Sequence, residues 1–423
     1  MQCSLCEVAW AAAPPPAWDK RAPRSAHVAR TLDSEQAPWY VEPGVRLSDD
    51  ARVSGFRDVG SNRVRLLRDG REAFPAMLDA IDRAEREILL EMYWVGDDVV
   101  GARFRDHLIE RARAGVAVFV VYDAIGSLGL FRSFWRKLVD AGGRVLENGP
   151  VAPWRRRFRI TALPFRDHRK ILVVDGELSF CGGLNLAALW LPREEGGQDW
   201  RDDVLELHGP ASRELRALVC ETWRRLGHEG PRAEPALASR PSGIRVLANR
   251  IAGAPNRRIR RAYLHAVRRA RKTIDITSAY FLPGPLFLSA LRKARRRGVR
   301  VRVLVPGTSD VWVASLAMLG IIDMLVRDGI EVYAYQRSIL HAKTAVLDGR
   351  FVIIGSHNLD TFSWRFDREA NVVVDDRAFA ADAERSFETD LEHASRVDAA
   401  SIRARSWLTR ILAWVAARFR TLL

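Results

Sequence analysis

Apolar and polar positions alternate along this chain with two periods that take turns. "NRVRLLRDG" (62–70) reads as a strand and turn, "EAFPAMLDAIDRAER" (72–86) as an amphipathic helix, and "EILLEMYWV" (87–95) as a buried strand. "FRDHLIERARAG" (104–115) follows as a helix and "VAVFVVYDAIGS" (116–127) as another strand. Strands and helices in alternation predict an α/β fold. The order then returns, with "GIRVLAN" (243–249) a strand, "RRIRRAYLHAVRRAR" (257–271) a helix and "KTIDITSAYFLPG" (272–284) a strand. "PLFLSALRKARRRG" (285–298) is the next helix and "VRVRVLVPGTSD" (299–310) the next strand. Gly115 and Gly298, each ending a helix before its strand, lie 183 positions apart. Gly142 and Gly329, helix C-caps by their setting in "LVDAGGRV" and "LVRDGIEV", lie 187 apart. A separation this constant predicts an internal duplication, with its boundary in "AEPALASRPSG" (233–243), where Pro, Ala and Ser interrupt the pattern. Residues 1–60 lack sustained periodicity and read as a loose extension, with order beginning near Val64.

The duplication carries chemistry. "HRKILVVDGELSFCGGLN" (168–185) and "HAKTAVLDGRFVIIGSHN" (341–358) share one register: His168, Lys170, Asp175, Gly182 and Asn185 match His341, Lys343, Asp348, Gly355 and Asn358, 173 positions on. A His and a Lys two apart on a predicted strand leave the same face, while the apolar residues among them pack on the other. If the halves meet about a pseudo-twofold axis, one site gains two imidazoles and two ammonium groups. That set suits a phosphodiester reaction without metal. One imidazole attacks phosphorus, the other hands its proton to the departing alcohol, and the lysines hold the non-bridging oxygens. Asp175 and Asp348 stand where a carboxylate ties down a turn. An imidazole also needs a carboxylate on its other nitrogen; Asp202 in "DWRDDVLELHGP" and Glu369 in "DREANVVV" recur after the two motifs.

Composition narrows the partner. The chain has 423 residues, 48% of them hydrophobic, enough for two or three domains. Lys and Arg number 67 against 52 Asp and Glu, a formal charge of +15, which points to nucleic acid or an anionic membrane surface. Four cysteines (Cys3, Cys6, Cys181, Cys220) are too few and scattered for a disulfide scaffold, and Cys3-x-x-Cys6 has no second pair to complete a zinc site. No uninterrupted apolar run has the length of a membrane span. The C-terminus, "WLTRILAWVAARFRTLL" (407–423), instead sets Leu408, Ile411, Leu412, Val415, Phe419, Leu422 and Leu423 in a helical stripe. Trp407 and Trp414 flank it and Arg410, Arg418 and Arg420 lie outside it, a pattern suited to the headgroup boundary of a bilayer. Two basic-aromatic stretches, "FRSFWRK" (131–137) and "APWRRRFRI" (152–160), precede the first motif. They would dock a lipid enzyme on its bilayer, or track a nucleic acid strand in a nuclease.

The paired motifs resemble the phospholipase D superfamily over roughly residues 61–395. "RDHRKILVVDG", "QDWRDDVLELHGP", "AYFLPG", "ILHAKTAVLDG", "IGSHNLD" and "EANVVV" resemble in particular the bacterial cardiolipin synthases of the short type without N-terminal transmembrane helices. The resemblance implies two tandem phospholipase D-like domains (61–235 and 243–398), each a mixed sheet flanked by helices, related by a pseudo-twofold axis with the site between them. It leaves 1–60 as an N-terminal extension and 401–423 as a membrane-surface helix. It implies transfer of a phosphatidyl group, from phosphatidylglycerol or phosphatidylethanolamine, onto phosphatidylglycerol through a phosphohistidine, with no cofactor and no metal. Position by position, His168 becomes the nucleophile and His341 the acid/base. Lys170 and Lys343 become phosphate clamps, Asp175 and Asp348 complete the catalytic motifs, and Asn185, Asn358, Ser356, Asp202 and Glu369 support them. One departure is Gly183, where the second copy has Ser356, so any role of that hydroxyl is one-sided. The expected setting is peripheral, on the cytoplasmic face of a bacterial membrane, with anionic phospholipid and not nucleic acid as partner. A phospholipid hydrolase and a nuclease of the same superfamily are the alternatives.

Overall fold

The structure, a computed structural model, describes residues 55–151, 165–231, 243–249, 258–308 and 312–418. The expected interruption at 233–243 falls, but for its last residue, outside them. So do the 152–160 stretch, Cys3, Cys6, all but the last six residues of the 1–60 extension, Phe419, Arg420, Leu422 and Leu423.

In chain order the first half holds β1 (Arg57–Val59), β2 (Asn62–Arg68), α1 (Asp69–Asp82), β3 (Glu87–Met92), α2 (Val99–Arg113), β4 (Ala117–Asp123), α3 (Arg136–Asp140), β5 (Arg144–Asn148), β6 (Lys170–Val174), β7 (Leu178–Gly182), β8 (Asp203–His208) and α4 (Ser212–Arg225). The second holds β9 (Ile244–Ala248), α5 (Arg258–Arg269), β10 (Thr273–Ser278), β11 (Phe281–Leu282), α6 (Pro285–Arg296), β12 (Arg300–Pro306), α7 (Trp312–Arg327), β13 (Glu331–Tyr335), β14 (Lys343–Leu347), β15 (Phe351–Gly355), β16 (Leu359–Asp360), α8 (Thr361–Arg365), β17 (Ala370–Asp375), α9 (Arg377–Glu392), β18 (Ala394–Val397), α10 (Ala399–Ala404) and α11 (Trp407–Arg418).

Each half builds an eight-stranded sheet, and seven strands of each follow one order: β2-β8-β7-β6-β3-β4-β5 and β9-β17-β15-β14-β10-β12-β13. The pairings match in sense as well. β3-β4-β5 and β10-β12-β13 are parallel, while the strands on the β6 and β14 sides are antiparallel. The sheets differ at their edges, with β1 outside β2 and β18 outside β13. β1 starts the first sheet at Arg57, ahead of the order expected from Val64. Its short "RDV" run is too brief to show a period, and pairing with β2 forms it.

Both faces of each sheet are covered, which is why "ILVV" and "TAVL" of β6 and β14 read as continuous apolar runs. α1, α2 and α3 pack on the outer face of the first sheet, and α5, α6 and α7 on that of the second. The inner faces share one core with α4 and α9, in which Ile171, Val173 and Leu205 join Val346, Ile354 and Val372. Gly115, Gly142, Gly298 and Gly329 all take positive φ at the ends of their helices, the left-handed cap expected of them. Asp69, read from sequence as part of a turn, is the first residue of α1, and its own φ of 56° makes the turn.

The C-terminal segment is two helices. Arg405 is extended, and Ser406 restarts the chain by accepting the Thr409 N–H at 3.1 Å. Arg405 is tied to Asp323 of α7 at 2.8 Å. α11 then lies on α7 through its small residues: Ala413 and Ala417 are buried, and Gly320 of α7 comes so close that a Cβ there would sit 2.3 Å from the Ala413 carbonyl oxygen. The large apolar residues point away from that contact, with Trp407 72% and Trp414 62% exposed and Ile411, Leu412 and Val415 exposed beside them.

Asp175 and Asp348 lie past the far ends of β6 and β14, each at positive φ. The Asp175 carboxylate accepts the N–H groups of Glu85, Arg86 and Glu87 at 2.7–2.9 Å. Asp348 accepts those of Arg271, Lys272 and Thr273 at 2.7–3.1 Å. Partial burial opposes ionisation of Asp175, yet these donors hold its carboxyl below the ordinary range. Asp348→Ala should cost about 1–3 kcal/mol of stability, since three donors lose their acceptor and an alanine enters the left-handed region. Asp348→Asn should cost less, and thermal midpoints of the two variants against the parent check the order.

Candidate active site

The strands that carry the motifs lie mid-sheet, β6 between β3 and β7 and β14 between β10 and β15. Each strand begins at its lysine, so the histidine sits just ahead of it in an extended segment rather than on the strand as the spacing suggested. That segment pairs with the other half. His168 N–H donates to the Arg368 carbonyl at 2.9 Å, and Arg368 N–H to Arg166 at 2.9 Å. In the mirrored pair, His341 N–H donates to Arg201 at 2.7 Å and Arg201 N–H to Ile339 at 2.9 Å. Four backbone bonds stitch the two motifs to the opposite halves.

The side chains cross in the same way. His168 Nδ1 meets Glu369 Oε1 at 3.0 Å, and His341 Nδ1 meets Asp202 Oδ2 at 2.7 Å. Each imidazole is therefore oriented by a carboxylate from the other half, leaving Nε2 as its remaining ring nitrogen. Ser356 Oγ donates to Glu369 Oε2, so its one-sided role is to hold a carboxylate. Asp202 has no room for such a neighbour, because a Cβ at Gly183 would stand 2.2 Å from its Oδ1. It takes its bonds from Trp190 Nε1 at 3.2 Å and Asp203 N–H at 2.9 Å.

Burial, with Lys170, Lys343 and His341 adding to it, pushes His168 well below the ordinary imidazole range. Burial and Lys343 also lower His341, against the opposing pull of Asp202. Burial brings Lys170 down to about 7, with Glu369 resisting and Lys343 contributing. Burial and the neighbouring Asp367 raise Glu369 well above the carboxylate range. These mutual effects place both motifs in one electrostatic site.

The lysines point back along their own segments. Lys170 Nζ donates to the His168 carbonyl at 2.7 Å and stands 4.9 Å from the Tyr93 ring centre, and Lys343 Nζ donates to the His341 carbonyl. Asn185 and Asn358 are buried; Asn185 Oδ1 accepts the Trp94 N–H at 3.2 Å, and Asn358 Oδ1 has no hydrogen-bond partner. Asp175 and Asp348 stand apart from this constellation, in the turn-holding place read for them from the sequence: a whole strand separates them from the histidines, and their oxygens accept backbone N–H groups.

Other residues belong to the site and carried little signal in the sequence. Arg201, fully buried, bridges Asp203 at 2.7 Å, Asp390 at 2.8 Å and Asp69 at 3.4 Å, while Asp69 accepts the Asp202 N–H at 2.8 Å. On the other side Arg368 meets Asp167 at 3.2 Å. An arginine just before each carboxylate, in "WRDD" and "DREA", was the readable sign. The rings around the two histidines differ. Tyr93 packs edge-on to His168 with centroids 4.7 Å apart, whereas Trp190 and Trp200 flank His341 at 5.5 and 6.0 Å.

Comparison with known proteins gives one answer. Residues 263–391 match the family described as "Cardiolipin synthase, PLD-like domain". Cardiolipin synthase A of Pseudomonas aeruginosa is 34% identical over 385 residues, covering 88% of this chain and 77% of that one. Cardiolipin synthase 2 of Bacillus anthracis is 31% identical over 376 residues, covering 87% and 71%. Among solved structures, phosphatidylserine synthase of Haemophilus influenzae Rd KW20 superposes with a TM-score of 0.63 at 14% identity, covering 88% of this chain and 98% of that one. The polyphosphate kinase of Porphyromonas gingivalis gives 0.55 at 15% identity, covering 84% and 53%. The two solved structures share the fold. With sequence likeness at this level over most of both chains, the protein belongs to the cardiolipin synthase family of phospholipase D-like proteins.

Proposed function

We propose that the chain synthesises cardiolipin by moving a phosphatidyl group between two phospholipids through a phosphohistidine. The observation that carries the reading is the crossed bracing of His168 by Glu369 and of His341 by Asp202, on top of the family membership. His168, which burial and Lys170 push well below the ordinary imidazole range, is neutral near pH 7, so its Nε2 lone pair attacks the donor phosphorus. As the P–O bond to the leaving headgroup breaks, the protonated form of His341, whose charge Asp202 stabilises against burial and Lys343, supplies the proton to that oxygen. The hydroxyl of phosphatidylglycerol then returns a proton to His341 and attacks the phosphohistidine, freeing His168. Lys170 and Lys343 neutralise the non-bridging oxygens. With phosphatidylglycerol as donor the small product is glycerol; with phosphatidylethanolamine it is ethanolamine.

The lipid surface is met by α11. Its outward Trp407, Ile411, Trp414 and Val415, with Arg410 and Arg418 beside them, form a stripe suited to the headgroup boundary. Leu128 (75% exposed) and Phe131 (71%), just after β4, add a second apolar point. Among the described residues no helix is long and apolar enough to cross a membrane. We place the protein at the cytoplasmic leaflet, whose negative surface potential favours a chain of charge +15.

Purified protein incubated with labelled phosphatidylglycerol, with and without phosphatidylethanolamine, should yield cardiolipin; phosphatidic acid as the sole product would mark a hydrolase instead. His168→Ala and His341→Ala should each lower the rate by at least roughly 10³-fold, because the two rings act as a unit. Donor phosphorus should be recovered on histidine in the parent and not in His168→Ala; label on His341 would reverse the roles. The reaction needs both the protonated His341, lowered by burial and Lys343, and the protonated Lys170, brought down to about 7 by burial with Glu369, Lys343, Asp202 and Asp367 around it. kcat/KM should therefore fall as pH rises toward and past neutrality. Lys170→Arg should remove the lysine's share of that fall and leave the share set by His341, at a lower maximum. Trp407→Glu combined with Trp414→Glu should weaken partition onto anionic vesicles by about tenfold or more, roughly 1.4 kcal/mol, as read by co-sedimentation.

A further inference from the structure

Charge is spread unevenly over the second half. From Arg258 to Arg300 the sequence holds thirteen Lys and Arg against one acid, Asp275, and that acid is buried with Arg302 at 2.6 Å. Most of these cations belong to α5 and α6. The apolar sides of the two helices are buried in one outer core, by Ile259, Tyr263 and Val267 of α5 and by Phe287, Leu291 and Ala294 of α6. Their cations are thereby left on the side that faces solvent.

Some of them act within the fold. Arg297 donates to the carbonyls of Val267 and Ala270 at 3.1 Å each, which closes the end of α6 onto the end of α5. Arg295 bonds the Gly329 carbonyl at 2.8 Å, and Arg292 pairs with Asp328. Cations at a helix C-terminus also meet the negative end of its dipole. Arg268, Arg269, Lys293 and Arg296 do more than that end requires. All four are exposed, and among the described residues their side chains make no hydrogen bond or ion pair. Since Arg297 holds the two helix ends together, the four stand on one surface.

That surface is remote from the histidines. β10 pairs antiparallel with β14, Ser278 opposite Lys343 and Ile274 opposite Leu347. α5 leads into the Ile274 end of β10, and α6 into Arg300, which pairs with Thr273 at the same end. A strand's length, on the order of 15 Å, separates the patch from the lysine end. Salt screens exposed charges over about 8 Å, so these cations do not serve the reacting phosphate. They share a side with α11 instead. α5, α6 and α7 cover the same outer face, and α11 lies on α7 with Trp407 and Trp414 outward. On α5 and α6 the exposed large apolar residue is Leu286, at the start of α6, so no aromatic ring stands among the four cations as a platform for bases. An unneutralised cationic face of this kind attracts a surface of negative charge.

Building on the proposed placement at a lipid surface, we infer that the outer face of α5 and α6 around Arg268, Arg269, Lys293 and Arg296 docks on anionic phospholipid headgroups, separately from the reacting site. α11 holds a bilayer by its apolar stripe, whatever the headgroup charge. The cationic face makes attachment depend on that charge, so the anionic lipid that the protein consumes also retains it at the membrane.

The test is co-sedimentation of the full chain with vesicles of phosphatidylcholine alone and of phosphatidylcholine mixed with phosphatidylglycerol. A variant combining Arg268→Gln, Arg269→Gln, Lys293→Gln and Arg296→Gln should bind the anionic vesicles at least about thirtyfold less well, because four cations leave the surface. It should bind the neutral vesicles as the parent does. Added salt should bring the parent down toward the variant. Arg268→Lys, Arg269→Lys and Arg296→Lys together keep the charge and should keep the binding. Parent and glutamine variant should turn over short-chain phosphatidylglycerol, dissolved as monomers, at the same rate, which shows the variant folded; equal thermal midpoints show this independently of turnover. Unchanged binding of the glutamine variant to anionic vesicles, or an equal loss on neutral ones, overturns the assignment. Duplex DNA bound by the parent and lost by the variant, with vesicle binding intact, would give the face to nucleic acid and overturn it as well. A parent that makes no cardiolipin yet shows the charge-dependent vesicle binding would sink the transfer reaction and leave this surface standing.

Discussion

Each histidine is held by a carboxylate that its own half does not supply. An imidazole buried among two lysines and a second imidazole is under strong electrostatic pressure, and a ring free to rotate would relieve that pressure by turning away. The bonds from Nδ1 to Glu369 and to Asp202 fix both rings, and they form only when the two sheets are docked. The site is thus a property of the interface, and everything that secures the interface serves it.

Much of the buried polar structure does so. Arg201 and Arg368 sit directly before the two carboxylates, where their backbones pair with the opposite motif while their side chains anchor in acidic groups behind it. Ion pairs this deep are weak evidence of net stability, because burial costs each charge its hydration, but removing one partner leaves the other exposed to the full cost. Such pairs hold position. α9 adds to the clasp from the second half, with Asp382, Ser386 and Asp390 receiving Arg57, Arg68 and Arg201 of the first. The matched order of seven strands in each sheet lets one design be used twice, and departures from it stand beside the two carboxylates: Gly183 against Ser356, and Trp200 against Asp367.

α11 shows a division of labour along one short helix. Alanines and the glycine opposite them allow a close approach to α7, so the large apolar residues are left outward. α11, which reads as part of a single amphipathic stripe, therefore has two apolar faces, a small one that packs and a large one that remains exposed. Hydrophobic periodicity alone marks the large residues and overlooks the small ones, since alanine contributes little to any pattern while deciding how close two backbones come.

The sequence by itself determined the α/β alternation, the duplication and the paired His-Lys motifs, because periodicity and spacing are local properties that repeat in the chain. It also marked Asp202 and Glu369 as recurring acids. It left undecided that these acids cross between halves. That fact depends on which residues meet after two sheets pack face to face, over separations of 139 and 201 positions for the two histidine–carboxylate pairs. No local pattern encodes a contact across that distance; only the docked cores decide it.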